Sequence, residues 1–456
     1  MSFLGAQNSI ALGVQGLIHI DTGGGAGGSA DYLLAKSLRF RSSASAYLSR
    51  TPATATNQTT WTWSGWIKRG TLGSALQQIF GVANGSNDAN YLTLFFQSDT
   101  LGFTQWNSPT LYRITTQVFR DPAAWYHIVL AVDTTQATAA NRILIYVNGT
   151  AITSFSSNLN PAQNATLPIN GAVVHQMGRD AFTGGSINFD GELAEVNFVD
   201  GQALAATSFG AFSTYNQWLP KKYAGTYGTN GFYLPFTNTT STSTLVADSS
   251  GNGNNWTPNN ISLTAGSTYD SLTDVPTLTS TTVANYAVLN PLVPPELSTT
   301  FNDGNLRFVG AGAVVGSMGM SAKTYVEMTP GSATSVAIGV GPLVSGSRGG
   351  AGQGIQDSVL WFSGGQVFKD GGATAVATYA TFTTNDVCAF TFDPSNRQVT
   401  FYKNNVLQGS QTVSGTQAIS FYTLGNTGAT AAVNFGQQPF VYTPPTGFLP
   451  LNTFNI

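Results

Sequence analysis

Trp125-Tyr-His-Ile-Val-Leu-Ala-Val-Asp133, a spacer rich in Thr, Ala and Asn, and then Arg142-Ile-Leu-Ile-Tyr-Val-Asn-Gly149 form the stretch on which the fold turns. Both runs are dense in β-branched and aromatic residues, and Asn148-Gly149 is a turn dipeptide. They are therefore expected to be paired antiparallel strands ending in a tight turn. With a period of two, Trp125, His127, Val129 and Ala131 share one face and Tyr126, Ile128, Leu130 and Val132 the other. Both faces are largely apolar, so both must be covered. That places the pair at the centre of a sandwich rather than in a lone hairpin.

The pattern has an echo. Asp386-Val-Cys-Ala-Phe-Thr-Phe-Asp-Pro394 is followed by Gln398-Val-Thr-Phe-Tyr-Lys-Asn-Asn405, again two strands and an Asn-rich turn. A chain of 456 residues exceeds what one core usually organises, and two β domains of about 200 residues each are expected. Apolar residues make up 42% and aromatics 12%, enough for two cores, while charged residues are 9% against a usual share of about a quarter. The surface must then be built from hydroxyls, amides and glycine. A net charge of -3 provides no field to attract nucleic acid or anionic lipid, which excludes both as partners. No apolar run is long enough to insert in a bilayer. The single cysteine, Cys388, falls on the same face as Phe390 and Phe392, which predicts a buried thiol and no intrachain disulfide.

In chain order, residues 1–35 read as an N-terminal attachment segment: apolar Ile10 to Ile20, then a Gly-rich linker. Gly23, Gly25 and Gly28 match a dinucleotide fingerprint, but a β pattern follows rather than a βαβ unit, so the linker reading stands. No Lys or Arg precedes Lys36, so the basic start of a secretory signal is missing. Residues 36–262 carry the first β domain. Within it Trp61 and Trp63 share a face, Gly65 marks a bulge or close packing, and Leu204 to Gly210 is the only helix-like turn. Residues 263–300, with Pro276, Pro291, Pro294 and Pro295 among Ser and Thr, have the composition of a connector. Residues 301–456 alternate again and form the second domain.

Four separated motifs carry a resemblance. Trp61-Thr-Trp-Ser-Gly-Trp-Ile-Lys68, Trp125-Tyr-His127 with Tyr146-Val-Asn-Gly149, Phe189-Asp-Gly-Glu-Leu-Ala-Glu-Val-Asn-Phe198 and Asp248-Ser-Ser-Gly-Asn-Gly-Asn254 together resemble a laminin-G-like, concanavalin-type jelly roll. Lys323-Thr-Tyr-Val-Glu327, Asp386 to Asp393, Val399 to Asn404 and Asn434 to Phe440 resemble a SPRY-type β-sandwich. Ala322 and Thr324 stand where that family has glycine and tryptophan. Asn285-Tyr-Ala-Val-Leu-Asn-Pro-Leu292 and the order of the two domains resemble tail or head fibre proteins of tailed bacteriophages.

The resemblance implies an all-β chain of two tandem antiparallel β-sandwich or jelly-roll domains with a short N-terminal virion-attachment extension. It implies a non-enzymatic virion protein, a tail fibre or receptor-binding appendage, assembled in a host cytoplasm and released by lysis. The N-terminal segment would bind other virion proteins, the domains would face host carbohydrate, and a homotrimer is expected by analogy to fibres. The alternatives are a capsid decoration, head-fibre or structural tail protein, and a polysaccharide depolymerase.

Hydrolysis is disfavoured by spacing. Glucanases of this scaffold resemble one another in a Glu-x-Asp-x-Glu strand that aims its carboxylates at one face. The nearest stretch here is Asp190-Gly-Glu192-Leu-Ala-Glu195, and in a regular strand Glu195 points away from the other two. His19, His127 and His175 are far apart and read as packed histidines rather than ligands. Some laminin-G-like relatives bind Ca2+ through loop aspartates, which makes Asp180, Asp190 and Asp248 weak candidates; no other cofactor is expected. Sugars bind through aromatic faces and planar amides. The glycan candidates are Trp106, Asn107, Tyr112, Arg113, Asn255 and Trp256 in the first domain and Arg348, Asp357 and Trp361 in the second. Their ordinary role would be turn formation and loop packing.

Overall fold

The computed structural model describes residues 32–84, 87–105, 111–180, 187–293, 299–332, 335–343 and 355–456. The leader 1–31 with His19, together with Trp106, Asn107 and Arg348, lies outside the described residues. Among the described residues the named strands all pair antiparallel, in two sandwiches. The first pairs two eight-stranded sheets, and the second pairs a seven-stranded with a six-stranded sheet.

Trp125–Asp133 lies inside the first sheet, between Thr60–Arg69 on one side and Ile143–Val147 on the other. Ile128, Leu130 and Val132 enter the core with Trp61 and Trp63, while Val129 packs into a second layer on the outer face. Both faces are covered, as the alternation requires. Asn148 and Gly149 have φ of 47° and 80°, the left-handed pair that a two-residue hairpin needs. The echo holds to the same detail: Cys388–Asp393 pairs with Gln398–Lys403, and Asn404 and Asn405 turn with φ of 48° and 66°. Cys388 is buried in the second core. Gly65 is a matter of packing, since a Cβ there would fall 2.7 Å from the Trp63 ring. The helix-like stretch is a 3-10 turn at Ala206–Ser208, and a short α-helix, Thr242–Leu245, is capped by Ser241.

The Pro-rich segment between the sandwiches is built into both. Ser271–Leu272 pairs with Ser37–Phe40 as an edge of the first sheet, while Tyr286, Ala287, Val288 and Leu289 fill the second core. A polar seam runs along this segment. The Lys68 ammonium donates to Asp274 Oδ2 at 2.6 Å, Asn285 Oδ1 at 2.8 Å and the Tyr286 carbonyl at 2.8 Å, so all three of its protons are used. Asp274 Oδ1 accepts from the Trp125 indole at 3.0 Å and from Tyr286 N at 3.2 Å. Arg39 and Arg41 both reach Asp270, Asp190 accepts from Gly304 N at 3.0 Å, and Asn305 donates to the Gly70 carbonyl at 2.9 Å.

The expected alternation around Glu195 is corrected by a bulge. Glu195 has φ of 52°, and the pairing of Gly191–Asp200 with Thr60–Arg69 slips between Ala194 and Asn197. The extra residue turns Glu195 to the outer side, the side Ala194 also faces. There it meets two phenols: Tyr32 Oη lies 2.8 Å from Oε1, Tyr233 Oη 2.9 Å from Oε2, and the two phenol oxygens are 2.8 Å apart. Three oxygen–oxygen contacts in a ring require three protons, and an ionised carboxylate leaves only two. The geometry therefore suits a protonated Glu195. Burial pushes its pKa in the same direction, to about 7, against the pull of the two phenols and Lys222.

Two outcomes follow from these buried charges. Lys68→Met leaves Asp274 without its cation and should lower unfolding stability by about 3–5 kcal/mol in urea, with Lys68→Met/Asp274→Asn recovering part of the loss. Glu195 holds its proton more tightly folded than unfolded, so its contribution is complete below pH 4.5 and lost as pH rises through 7, roughly 3 kcal/mol across that window. Asp190, lifted to about 6 by burial and by Asp303, acts in the same direction from 3.8 to 6. Thermal melting of Glu195→Gln should accordingly keep the Asp190 part of the decline, between about pH 4 and 6, and lose the Glu195 part from about pH 4.5 to 7.

Candidate functional site

Residues 201–227 fold back over the outer face of the first sheet. Gly210–Phe212 and Trp218–Pro220 pair there as a small hairpin, closed by a turn in which the Ser213 hydroxyl accepts from Tyr215 N and Gln217 N. The hairpin lays Trp218 against the sheet. Bare backbone makes room for it, because a Cβ on Gly149 or Gly210 would come within 2.3 or 2.4 Å of the indole. The Asn148-Gly149 turn thus serves two purposes, reversing the chain and seating a tryptophan.

Trp218 is fixed by His127. The indole N–H donates to His127 Nδ1 at 2.9 Å, which leaves the imidazole proton on Nε2, where it faces Ser64 Oγ at 2.9 Å. Burial depresses the His127 pKa to about 3, so the ring is a neutral spacer. His175 is held similarly, accepting from Asn170 N and bonded to the Val173 carbonyl, with its pKa lowered to about 4. Around His127 the rings form a ladder. Trp66 lies 4.9 Å from it, Trp218 5.9 Å, and Phe212 sits edge-on to Trp218 at 4.9 Å.

Beside this ladder is a cleft of about 290 Å³. Trp66, Trp125, Trp218 and Phe212 supply aromatic surface, Asn148, Asn216, Gln217 and Asn285 supply amides, and Pro276 and Thr453 close it from the connector and the C-terminal segment. Phe212 is 49% exposed, so part of the aromatic surface is already open to solvent. Asn285 has both ends engaged, with Lys68 and with the Ala123 carbonyl. Asn148 Oδ1 accepts from His127 N, while its Nδ2 and the whole Asn216 amide make no hydrogen bond to the described residues. No lining residue carries a charge.

The residues singled out in the sequence are not brought together. Arg113 is buried, donates to the Ala140 carbonyl and to Asn160 Oδ1, and stacks on Phe155 at 4.7 Å; Tyr112 beside it is half-buried. Trp256 is packed in the first core against Phe80 and Phe232, and the exposed Asn255 closes its loop by accepting from Asp248 N. In the second sandwich Trp361 is wholly buried against Phe382, and Asp357 accepts from Gln417 N. Burial corrects the expectation that Arg113, Trp256, Asp357 and Trp361 present their side chains to a glycan.

The aspartates have internal work. Asp248 accepts from Tyr233 N, Ser250 N, Ser250 Oγ and Asn254 N. Asp190 accepts from Gly304 N and Thr71, and Asp180 is buried beside the Tyr91 hydroxyl. Among the described residues no group of three or more His, Cys, Asp or Glu is placed to hold a metal.

Trp66, expected from the sequence to be a core residue, and Trp218 and Phe212 are not among the glycan candidates. Trp66 had a signal, since three residues after Trp63 it must face the opposite side of the strand. Trp218 and Phe212 had none, because the hairpin that carries them is too short to show a period.

No curated protein matches the chain in sequence. Among solved structures, the human HERC1 SPRY domain is similar at 15% identity over 28% of this chain and 87% of that one, with a TM-score of 0.25. A Bacteroides ovatus protein proposed to bind carbohydrate is similar at 17% identity over 50% and 58%, with a TM-score of 0.34. The heptameric pentraxin of Limulus polyphemus is similar at 18% identity over 39% and 80%, with a TM-score of 0.29. Residues 42–208, most of the first sandwich, match the laminin-G-type model of the concanavalin A-like lectin/glucanases superfamily.

Proposed function

We propose that this protein is a non-enzymatic carbohydrate-binding component of a tailed-bacteriophage particle, a tail fibre or comparable receptor-binding appendage, and that the aromatic cleft holds the sugar. The cleft carries the reading. Sugar rings present C–H faces that pack on indole, and their hydroxyls match planar amides. Trp66, Trp218 and Phe212 provide the first, and Asn148 and Asn216, with unused hydrogen-bonding atoms, the second.

A binding role rather than hydrolysis is supported by the state of the carboxylates. A glycosidase needs two of them flanking an open bond, roughly 5–9 Å apart. Glu192 is buried and accepts from Ser37, Glu195 is closed in its ring with Tyr32 and Tyr233, and Asp190 holds Gly304. The appendage reading draws on the fibre resemblance and on a surface with few ionic groups, suited to weak contacts multiplied over copies.

Labelled protein should bind host cells and lose that binding on cells stripped of surface polysaccharide; equal binding to both would remove the receptor role. On a glycan surface, Trp218→Ala should weaken binding at least about fivefold, given ~1–3 kcal/mol for loss of an aromatic anchor, and Phe212→Ala should weaken it less. Prolonged incubation with the bound polysaccharide should release no reducing ends, and their accumulation would overturn the non-enzymatic reading.

A further inference from the structure

We infer that the cleft selects uncharged pyranosides, hexoses or N-acetylhexosamines, and rejects their acidic counterparts such as uronates, sialylated and sulfated sugars. The inference rests on the cleft being the sugar site. It adds which sugars enter, from the charges that surround the cleft.

Every lining side chain is aromatic, amide, hydroxyl or proline. The ionic groups hydrogen-bonded to the lining, Lys68 through Asn285 and Asp274 through the Trp125 indole, are buried behind it. Lys68 shares its three protons among Asp274, Asn285 and Tyr286, and is 2% exposed. It therefore has no proton left for a ligand carboxylate. On the Trp125 side the wall is backed by the Asp274 carboxylate, which accepts the indole N–H and is neutralised by Lys68, so the pair offers an incoming anion no net positive charge. His127 lies beneath the aromatic ladder and is neutral, so it does not become a cation when an anion approaches.

An acidic sugar would give up hydration on entering and meet no compensating cation in the lining. A neutral sugar loses only hydroxyl hydration, which the free Asn148 and Asn216 atoms replace. Discrimination thus comes from an uncompensated charge on the wrong ligand rather than from an added contact to the right one. At about 290 Å³ the cleft lies at the lower edge of the ~300–1,000 Å³ usual for small-molecule sites, room for one or two sugar residues of a chain.

The test uses matched disaccharides that differ only at C6, galactobiose against digalacturonate and the glucose pair likewise, with N-acetylhexosamine disaccharides alongside, titrated into the full chain by calorimetry. Neutral members should bind at least about tenfold more tightly, with affinities unchanged between low and high salt. Gln217→Lys, which sets a cation on the rim, should narrow that preference by improving the acidic members. Equal or tighter binding of acidic sugars would overturn the inference while leaving the cleft a sugar site. Binding of neither set would overturn both readings.

Discussion

A buried ammonium ties the first sandwich to the segment that leads into the second. Lys68 belongs to the central strand pair of the first sheet, and its three partners all belong to the segment leading into the second core. A lysine enters such a place only when every proton finds an acceptor and the charge finds a counter-charge, and here both conditions are met. The same neighbourhood gathers Arg39, Arg41, Asp190, Glu192, Asp270 and Asp274, all buried. In a chain where only 9% of residues are charged, much of the charge has gone inside, to a seam where mispairing is penalised heavily. The outer surface is left to amides and hydroxyls.

The site follows from that seam. Asp274 bonds the Trp125 indole and so orients one wall of the cleft, while Asn285, tied to Lys68, forms part of another. The opposite wall is set by the first hairpin, through the His127–Trp218 bond and the glycine gap at 149. Strands therefore supply the rigid floor, and the short hairpin at 210–220 supplies the exposed edge. This division suits a site in which stacking needs fixed planes and hydroxyls tolerate some play.

Much of the architecture was legible in the residues. Period-two alternation in 125–133 assigned both faces correctly, and Asn-Gly at 148–149 and Asn-Asn at 404–405 marked turns whose positive φ the structure bears out. Alternation failed where a bulge interrupts it, at Glu195, since nothing in Leu-Ala-Glu-Val announces an extra residue. Proline and hydroxyl content in 263–300 described the composition of that segment but not its anchoring, which depends on partners such as Lys68, about 200 positions away. The cleft was least legible. Its members are drawn from positions 66, 125, 148, 212–218, 276, 285 and 453, and only the folded topology brings them together. Aromatic-plus-amide pairs adjacent in sequence, such as Asn255-Trp256, were the visible signal, yet there Trp256 packs into the first core while Asn255 stays exposed on its loop.

The welded segment also bears on mechanics. Between Ser271 and Leu289 the chain contributes an edge strand to one sheet and four side chains to the neighbouring core, and is held at both ends. Tension applied across the pair must shear hydrogen bonds and extract Lys68 from its cage before that stretch lengthens. The two sandwiches would thus transmit a pull as one stiff strut, and an object held at the cleft, which borders both, would be gripped at the joint rather than at a swinging tip.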